Sequence, residues 1–228
     1  MVSLISMDLE SLKNNLKNSN LKNLENQIGV SRGSFYNFLN GENVTLDFLK
    51  KLESYFKAIE KEKSYHLLKY FGAPLALPTI EPDLPFLKNR VLSSTSLKEV
   101  AQKGLVLAAQ DPLIESIYPF FLYKNLKDLN LEDLYRFSVT QELDGLFCYH
   151  LEIINAYNQS PKIISFLKKV RALFNYSLRK KKKVDGTLPN KYELLLCKKN
   201  ELALKWGLYL NANPDDYIHR FKKWDRPK

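Results

Sequence analysis

The sequence predicts an all-α protein built from two helical domains and a proline-rich connector. Apolar residues recur at spacings of three and four along most of the 228 residues, which is the period of an amphipathic helix. Residues typical of helix starts and stops bracket these stretches. Prolines then interrupt the helical pattern in one segment, at Pro74, Pro78, Pro82 and Pro85. We therefore expect domains at 1–71 and 93–228, with an extended connector at 72–92.

The first domain is predicted to contain four to five helices. The predicted ranges are Ser6–Leu16, Leu21–Ile28, a short helix from Ser31 to Gly41, a helix from Thr45 through Phe56, and Glu60–Tyr70, which either extends the preceding helix or packs beside it. Helical spacing predicts that these apolar side chains point inward: Leu9, Leu12, Leu16, Leu21, Leu24, Ile28, Phe35, Phe38, Leu46, Leu49, Leu52 and Phe56.

The second domain is also predicted to be helical. Its predicted helices are Ser96–Ala109, Pro112–Phe121, Leu131–Phe137, Gln141–Tyr157, a helix opened by Ser160-Pro161 and running to Arg179, Asn190–Tyr209, and Pro214–Trp224. Within the predicted helix Asn190–Tyr209, the alternative is a strand at Leu194–Leu196. The middle of the chain is rich in Tyr and Phe, which we expect to pack in the core or to contribute to a partner interface.

A tight turn between two short helices is the most distinctive pattern in the chain. Gly29 stands where a helix closes in a left-handed residue, and Val30 then points back into the core. Ser31 is a suitable N-cap, whose hydroxyl would accept a backbone N–H. Phe35 and Phe38 would lie inward, and Gly41 ends the second helix. This is the helix-turn-helix layout, in which the second helix offers polar side chains to the major groove.

The stretch from about Leu9 to Phe56 resembles the lambda-repressor/Cro-like helix-turn-helix proteins, also called the XRE family. The resemblance implies contact with double-stranded DNA through the outward face of the second helix of the motif. The candidate DNA-binding residues are Arg32, Gly33, Ser34, Tyr36 and Asn37. Candidate phosphate contacts beside them are Ser31, Asn40 and Asn43. The alternative is that these side chains only cover a solvated helix face.

Three positions depart from the family's pattern. The family usually has a phosphate-contacting Gln where this chain has Leu21, and a small residue where it has Glu25. Leu39 replaces a polar residue common near the end of the recognition helix. Glu25 is expected to fit less easily at the crossing of the two helices, and Leu21 and Leu39 are alternative contacts for a partner surface.

The net charge of +10 is concentrated in the last third of the chain. Residues 1–60 carry 7 basic and 7 acidic side chains, whereas residues 162–228 carry 18 and 6, a net charge of +12. Further candidate phosphate contacts, to DNA or RNA, form one run: Arg179, Lys180, Lys181, Lys182 and Lys183. The alternative is a solvated helix end, where cations are favoured by the helix dipole.

The sequence contains no motif that predicts an enzyme, a metal site or a cofactor. Its three histidines, His66, His150 and His219, are far apart and lack Cys or His neighbours at ligand spacing. The two cysteines, Cys148 and Cys197, are expected to be free thiols in a reducing cytoplasm. No apolar run is long enough to span a bilayer, so we expect no membrane association.

These observations lead to three hypotheses about function. The first is a DNA-binding transcriptional regulator, acting as a homodimeric repressor, with the second domain serving oligomerisation or an effector. The second is the antitoxin of a toxin–antitoxin pair, because segments 96–112 and 143–147 are faintly similar to helical proteins encoded beside nucleotidyltransferase-like toxins. The third is an RNA-binding protein that uses the basic last third.

Overall fold

The computed structural model describes residues 7–75, 95–173, 200–210 and 212–226, and they form an all-α fold. The chain divides into two compact units, Met1–Lys63 and Ser64–Lys228. This division falls within a helix, because Leu67, Leu68 and the residues just beyond them are buried in the core of the second unit. The predicted connector at 72–92 lies mostly outside the described residues.

The described residues of the first unit form four helices: α1 (Leu9–Lys17), α2 (Leu21–Ile28), α3 (Arg32–Leu39) and α4 (Leu46–Tyr70), whose last residues belong to the second unit. The bounds of α2 match the prediction, because Asn20 caps its start through Lys22 N and Asn23 N and Gly29 ends it. The stretch Glu60–Tyr70 extends α4, which was one of the two predicted alternatives.

The core of the first unit is largely the predicted set of side chains, with two errors. Leu9 is 50% exposed and Leu46 is 44% exposed, although both were predicted to lie inward. Each stands at the first position of its helix, at the margin of the packed face. Phe48, which was not predicted, is buried between Phe35 and Phe38, with ring centroids 5.7 Å from each. The core of α4 therefore follows the spacing Phe48, Leu52, Phe56.

The second unit contains seven described helices: α5 (Leu97–Ala108), α6 (Pro112–Lys124), α7 (Leu131–Thr140), α8 (Asp144–Tyr157), α9 (Pro161–Leu173), α10 (Glu201–Lys205) and α11 (Pro214–Trp224). The predicted caps form at α5, where Ser96 and Glu99 make a capping box, and at α6, where Asp111 accepts from Leu113 N. The predicted run Arg179–Lys183 and the alternative strand Leu194–Leu196 lie outside the described residues.

Helix α7 ends later, and α8 begins later, than predicted. Glu142 adopts a positive φ of 56° between them, and Leu143 N donates to Ser138 O at 2.7 Å. The left-handed residue closes α7 three residues beyond the predicted end, so Gln141–Leu143 cannot open α8. A left-handed glutamate gives no sequence signal, unlike a glycine.

Helix α8 is the centre of the second unit, since its residues from Asp144 to Leu151 are all buried. It packs against α6, α7, α9, α10 and α11. The aromatic residues of the middle region pack in this core, as predicted: Tyr118, Phe120, Phe121, Phe147 and Tyr149 are buried. Within the described ranges, no helix combines the length and the apolar character needed to cross a membrane.

Candidate nucleic-acid interface

The turn between α2 and α3 has the predicted geometry. Gly29 is left-handed, with φ of 67°, and its N–H donates to Glu25 O at 3.0 Å. Phe35 and Phe38 then anchor α3 on the core, and both are buried. The turn and the two anchors fix α3 against the rest of the unit, and its exposed residues are Arg32, Gly33, Tyr36 and Asn37.

The outward face of α3 carries most of the predicted DNA-binding residues. Arg32, Gly33, Tyr36 and Asn37 are exposed, and Tyr36 keeps 55% of its surface accessible. Ser34 differs from them, since it is half-buried. The outward face therefore presents one cation, one amide and one phenol.

Ser31 occupies the N-cap position of α3, but its side chain does not make the predicted cap hydrogen bond. Its Oγ lies 3.2 Å from Ser34 Oγ, and the backbone closes the first turn instead, with Ser34 N donating to Ser31 O at 3.0 Å. The hydroxyl of Ser31 therefore contacts the hydroxyl of Ser34 and not a backbone N–H of α3. Ser31 remains exposed at the N-terminus of the helix, where an anion is favoured.

Glu25 and Arg32 form an ion pair across the turn. Arg32 Nε lies 2.8 Å from Glu25 Oε2, and the two side chains are 54% and 34% exposed. Glu25 was predicted to fit poorly at this crossing. Its carboxylate pairs with the guanidinium of Arg32 at the start of α3. The pairing has no short-range sequence signal, because the partners are on different helices.

Asn37 is also held by a carboxylate. With its amide nitrogen turned toward the available acceptors, Asn37 donates to Gly33 O at 3.1 Å and to Glu42 Oε2 at 3.2 Å. Glu42 follows the end of α3, where Gly41 turns the chain with φ of 83°. Arg32 and Asn37, which were predicted to contact bases, therefore each have an acidic neighbour, and the sequence predicted neither contact.

The rim of this face contains the other predicted phosphate contacts. Asn40 and Asn43 are exposed at the end of α3 and in the loop that follows. Lys13 of α1, which was not predicted, lies over the ring of Phe38, with its Nζ 5.7 Å from the centroid. A side chain at Gly41 would place its Cβ 4.0 Å from Lys13 Nζ. Lys13 thus adds a cation beside the C-terminal end of α3.

Leu21 and Leu39 are not outward-facing leucines. Both are half-buried and pack against the core of the first unit. Tyr55 ties α4 to α2 nearby, since its hydroxyl donates to Gln27 Oε1 at 2.5 Å. Burial raises the pKa of Tyr55 above its ordinary value of 10.0. The packing of Leu21 and Leu39 and the hydrogen bond from Tyr55 to Gln27 therefore hold α2 and α3 against the rest of the first unit.

The three histidines and Cys148 have different surroundings, and Cys148 is a buried thiol. His66 is half-buried, His219 is exposed, and His150 is fully buried with its Nε2 3.6 Å from Glu115 Oε1. No group of three or more His, Cys, Asp or Glu residues is placed to hold a metal ion in the part of the chain described. Glu115 accepts a hydrogen bond from Tyr217, and Asn200 donates to Tyr149 at 3.1 Å, whereas both ring nitrogens of His150 are buried without a hydrogen-bond partner among the described residues.

A groove of about 620 Å³ in the second unit lies beside the start of α7. Its lysines are largely engaged: Lys162 Nζ donates to Leu126 O and Leu129 O, both at 2.8 Å, and Lys169 Nζ lies 3.6 Å from Glu132 Oε1. These contacts tie the groove's walls together. The outward face of α3 therefore remains the candidate interface, because its polar side chains are mostly exposed.

Comparisons with protein-family models, with curated proteins and with solved structures found no match to this chain.

Proposed function

We propose that this chain is a sequence-specific double-stranded DNA-binding transcriptional regulator that acts in the cytoplasm as a dimeric repressor. The observation that carries the proposal is the exposed face of α3, with Arg32, Tyr36 and Asn37 outward while Phe35 and Phe38 anchor the helix. A helix held in this way after a glycine turn has the arrangement that places side chains in the major groove.

The chemistry of the face suits base and backbone contacts. An arginine can donate two hydrogen bonds to guanine O6 and N7, and serine or asparagine side chains can reach phosphate or base edges. Lys13, Asn40 and Asn43 supply donors at the rim, where the phosphate backbone would run. The N-terminus of α3 adds a favourable dipole for a phosphate near Ser31.

The charge of the first unit explains why we propose a dimer. Residues 1–60 have no net charge, so a single copy gains little of the counterion release that drives DNA affinity. Two copies that bind half-sites about one helical turn apart would double both the base contacts and the phosphate contacts. A dimer bound in this way represses transcription by occluding a promoter.

The test is selection of binding sites from random duplex DNA, followed by measurement of affinity for the selected duplex. We expect the double variant Arg32→Ala plus Asn37→Ala to lower affinity by about 10-fold or more, since each specific base contact is worth roughly 1–3 kcal/mol. The matched control is Lys168→Ala plus Gln159→Ala, which removes one cation and one amide from exposed positions of the second unit. Equal binding by the two double variants at physiological salt would reject the assignment of α3.

The antitoxin and RNA-binding hypotheses stay as predictions. The RNA hypothesis depends on Arg179–Lys183, which lies outside the described residues. The antitoxin hypothesis is compatible with DNA binding, because an antitoxin of this kind would repress its own operon. Co-purification of a partner encoded next to this gene would favour it.

A further inference from the structure

The two carboxylates beside α3 lead to an inference that rests on the proposed function and extends it to base preference. Glu25 contacts Arg32 through one atom pair, Oε2 and Nε at 2.8 Å. Glu42 contacts the amide nitrogen of Asn37 at 3.2 Å. Each contact engages a particular nitrogen of the side chain on α3, and the groups that remain decide which base edge the side chain can bind.

The Arg32 guanidinium has five N–H donors in a planar fork, and Nε is the nitrogen that forms the ion pair with Glu25 Oε2, at 2.8 Å. The terminal Nη groups, at the far end of the fork, are left for another partner. Guanine presents two acceptors, O6 and N7, on one edge in the major groove, and a planar pair of Nη donors matches them. A carboxylate on Nε also fixes the plane of the fork, which a free arginine would have to order on binding.

Asn37 has only two amide hydrogens, and its contacts use both of them. One is donated to Gly33 O at 3.1 Å and the other to Glu42 Oε2. Adenine is read by asparagine through a donor to N7 and an acceptor for the N6 amino group. While the contact with Glu42 holds, Asn37 presents only its oxygen, so it can accept from an exocyclic amino group but cannot make the paired contact with adenine.

We propose that Glu25 and Glu42 are positioning residues that set the base preference of α3. Glu25 makes Arg32 a reader of guanine. Glu42 restricts Asn37 to accepting one hydrogen bond from an amino group, of cytosine N4 or adenine N6. Neither carboxylate touches DNA in this arrangement, and each acts through the side chain that it holds.

If the Glu25–Arg32 pair only stabilised the fold, Glu25→Ala would not change which base is preferred. Exposed ion pairs contribute little to stability, so Glu25→Ala should leave the fold and its thermal midpoint almost unchanged. The measurement that separates the two roles is therefore discrimination between bases at one position of the site. Overall affinity alone would not separate them, because removing an acidic side chain also reduces repulsion from phosphates.

The experiment begins with the duplex that the wild type selects and with the guanine whose selection is lost in Arg32→Ala. The ratio of dissociation constants for adenine and guanine at that position is then measured for each variant. We expect a ratio of about 10 or more for the wild type. The ratio should fall to about 3 or less for Glu25→Ala and for Arg32→Lys, whose ammonium lacks the planar fork. Glu25→Gln keeps the length of the side chain but not its charge, so it should discriminate as poorly as Glu25→Ala.

The test of Glu42 expects a gain of base preference, whereas the test of Glu25 expects a loss. Glu42→Ala frees one amide hydrogen of Asn37, so selection with this variant should gain a preference for adenine at the position that Asn37 contacts. That gain should disappear when Asn37→Ala is added. A stability effect alone would not create a new base preference.

The outcomes separate the inference from the proposed function. If the wild type selects a site and Arg32→Ala loses one guanine, but Glu25→Ala discriminates as well as the wild type, the role of Glu25 is wrong and DNA binding stands. An unchanged preference in Glu42→Ala overturns the role of Glu42 in the same way. If the wild type selects no sequence, the proposed function fails, and the inference fails with it.

Discussion

Gly145 of α8 lies against the backbone of Trp206 so closely that a Cβ at position 145 would be 2.5 Å from the Trp206 carbonyl oxygen. Real Cβ atoms do not approach a backbone atom this closely. The contact places the turn after α10 directly on the central helix of the second unit. Gly145 is therefore required by packing, since α8 itself would tolerate any good helix former there.

Gly145→Ala is predicted to destabilise the second unit by about 1–3 kcal/mol, because α8 and the turn at Trp206 must move apart. Both tryptophans of the chain, Trp206 and Trp224, belong to this unit, so fluorescence during urea unfolding reports on it selectively. Gly33→Ala is the control at a glycine of the first unit, and its effect is followed by hydrogen exchange of residues 7–63, since the tryptophans do not report on that unit. A Cβ at Gly33 meets only Ser31 Oγ, at 3.8 Å, and alanine is the better helix former. A midpoint for Gly145→Ala equal to that of the wild type would contradict the packing argument.

The register of α4 gives a second prediction. Phe48 is buried between two rings, whereas Leu46 is 44% exposed. Phe48→Ala should therefore destabilise the first unit by about 3–5 kcal/mol, the range for removing a buried phenyl ring. Leu46→Ala should change the stability by roughly 0.5 kcal/mol or less. Hydrogen exchange of amides in residues 7–63 measures the stability of the first unit in both variants. Similar protection in the two variants would show that Phe48 contributes no more to the core than Leu46 does.

The sequence was sufficient for features that depend on neighbouring residues. The bounds of α2 and α11 follow from local signals, namely Asn20 and Gly29 for α2 and Pro214 for α11. The inward positions of Phe35 and Phe38 follow from helical spacing in the same way. These features are decided within a few residues, so a single sequence contains the information.

Features that depend on the placement of whole helices were missed. Leu46 and Phe48 are both apolar and two residues apart, and only packing on α3 decides which is buried. The contact of Glu25 with Arg32 depends on the angle between α2 and α3. Spacing along the chain contains no such angle, so the outward face of α3 was predicted while the carboxylates that orient it were not.

Asp225 gives a prediction about acid. Its carboxylate accepts from Lys124 Nζ at 2.7 Å and from the hydroxyls of Tyr123 and Tyr157, each at 3.0 Å. The hydrogen bond from Lys124, followed by those from the tyrosines, holds the pKa of Asp225 below its ordinary value of 3.8. A depressed carboxyl pKa contributes stability above the unfolded-state pKa, and the contribution is lost as pH falls through the folded-state value.

Asp225→Asn should therefore lower the free energy of unfolding at pH 6, and its difference from the wild type should narrow as the pH falls below about 4. Urea unfolding followed by tryptophan fluorescence at several pH values measures the difference. Lys124→Gln removes the strongest hydrogen-bond donor to Asp225. In a protein that carries Lys124→Gln, adding Asp225→Asn should therefore change the free energy of unfolding at pH 6 by less than it does in the wild type. A difference that is constant between pH 6 and pH 3 would show that the carboxylate is not held in this way.

Tyr157 gives the corresponding prediction in alkali. Burial, and after it the hydrogen bond to Asp225, raise the pKa of Tyr157 from 10.0 to about 12. A raised phenol pKa contributes stability that is fully present below about 10 and is lost as pH rises toward 12, because the unfolded chain ionises first. The advantage of the wild type over Tyr157→Phe should therefore shrink between pH 9 and pH 11.5. Absorbance at 295 nm checks the assignment directly, since the titration curve of the wild type minus that of Tyr157→Phe should have its midpoint near pH 12. A midpoint near 10 would mean that the phenol is not buried against Asp225 in solution.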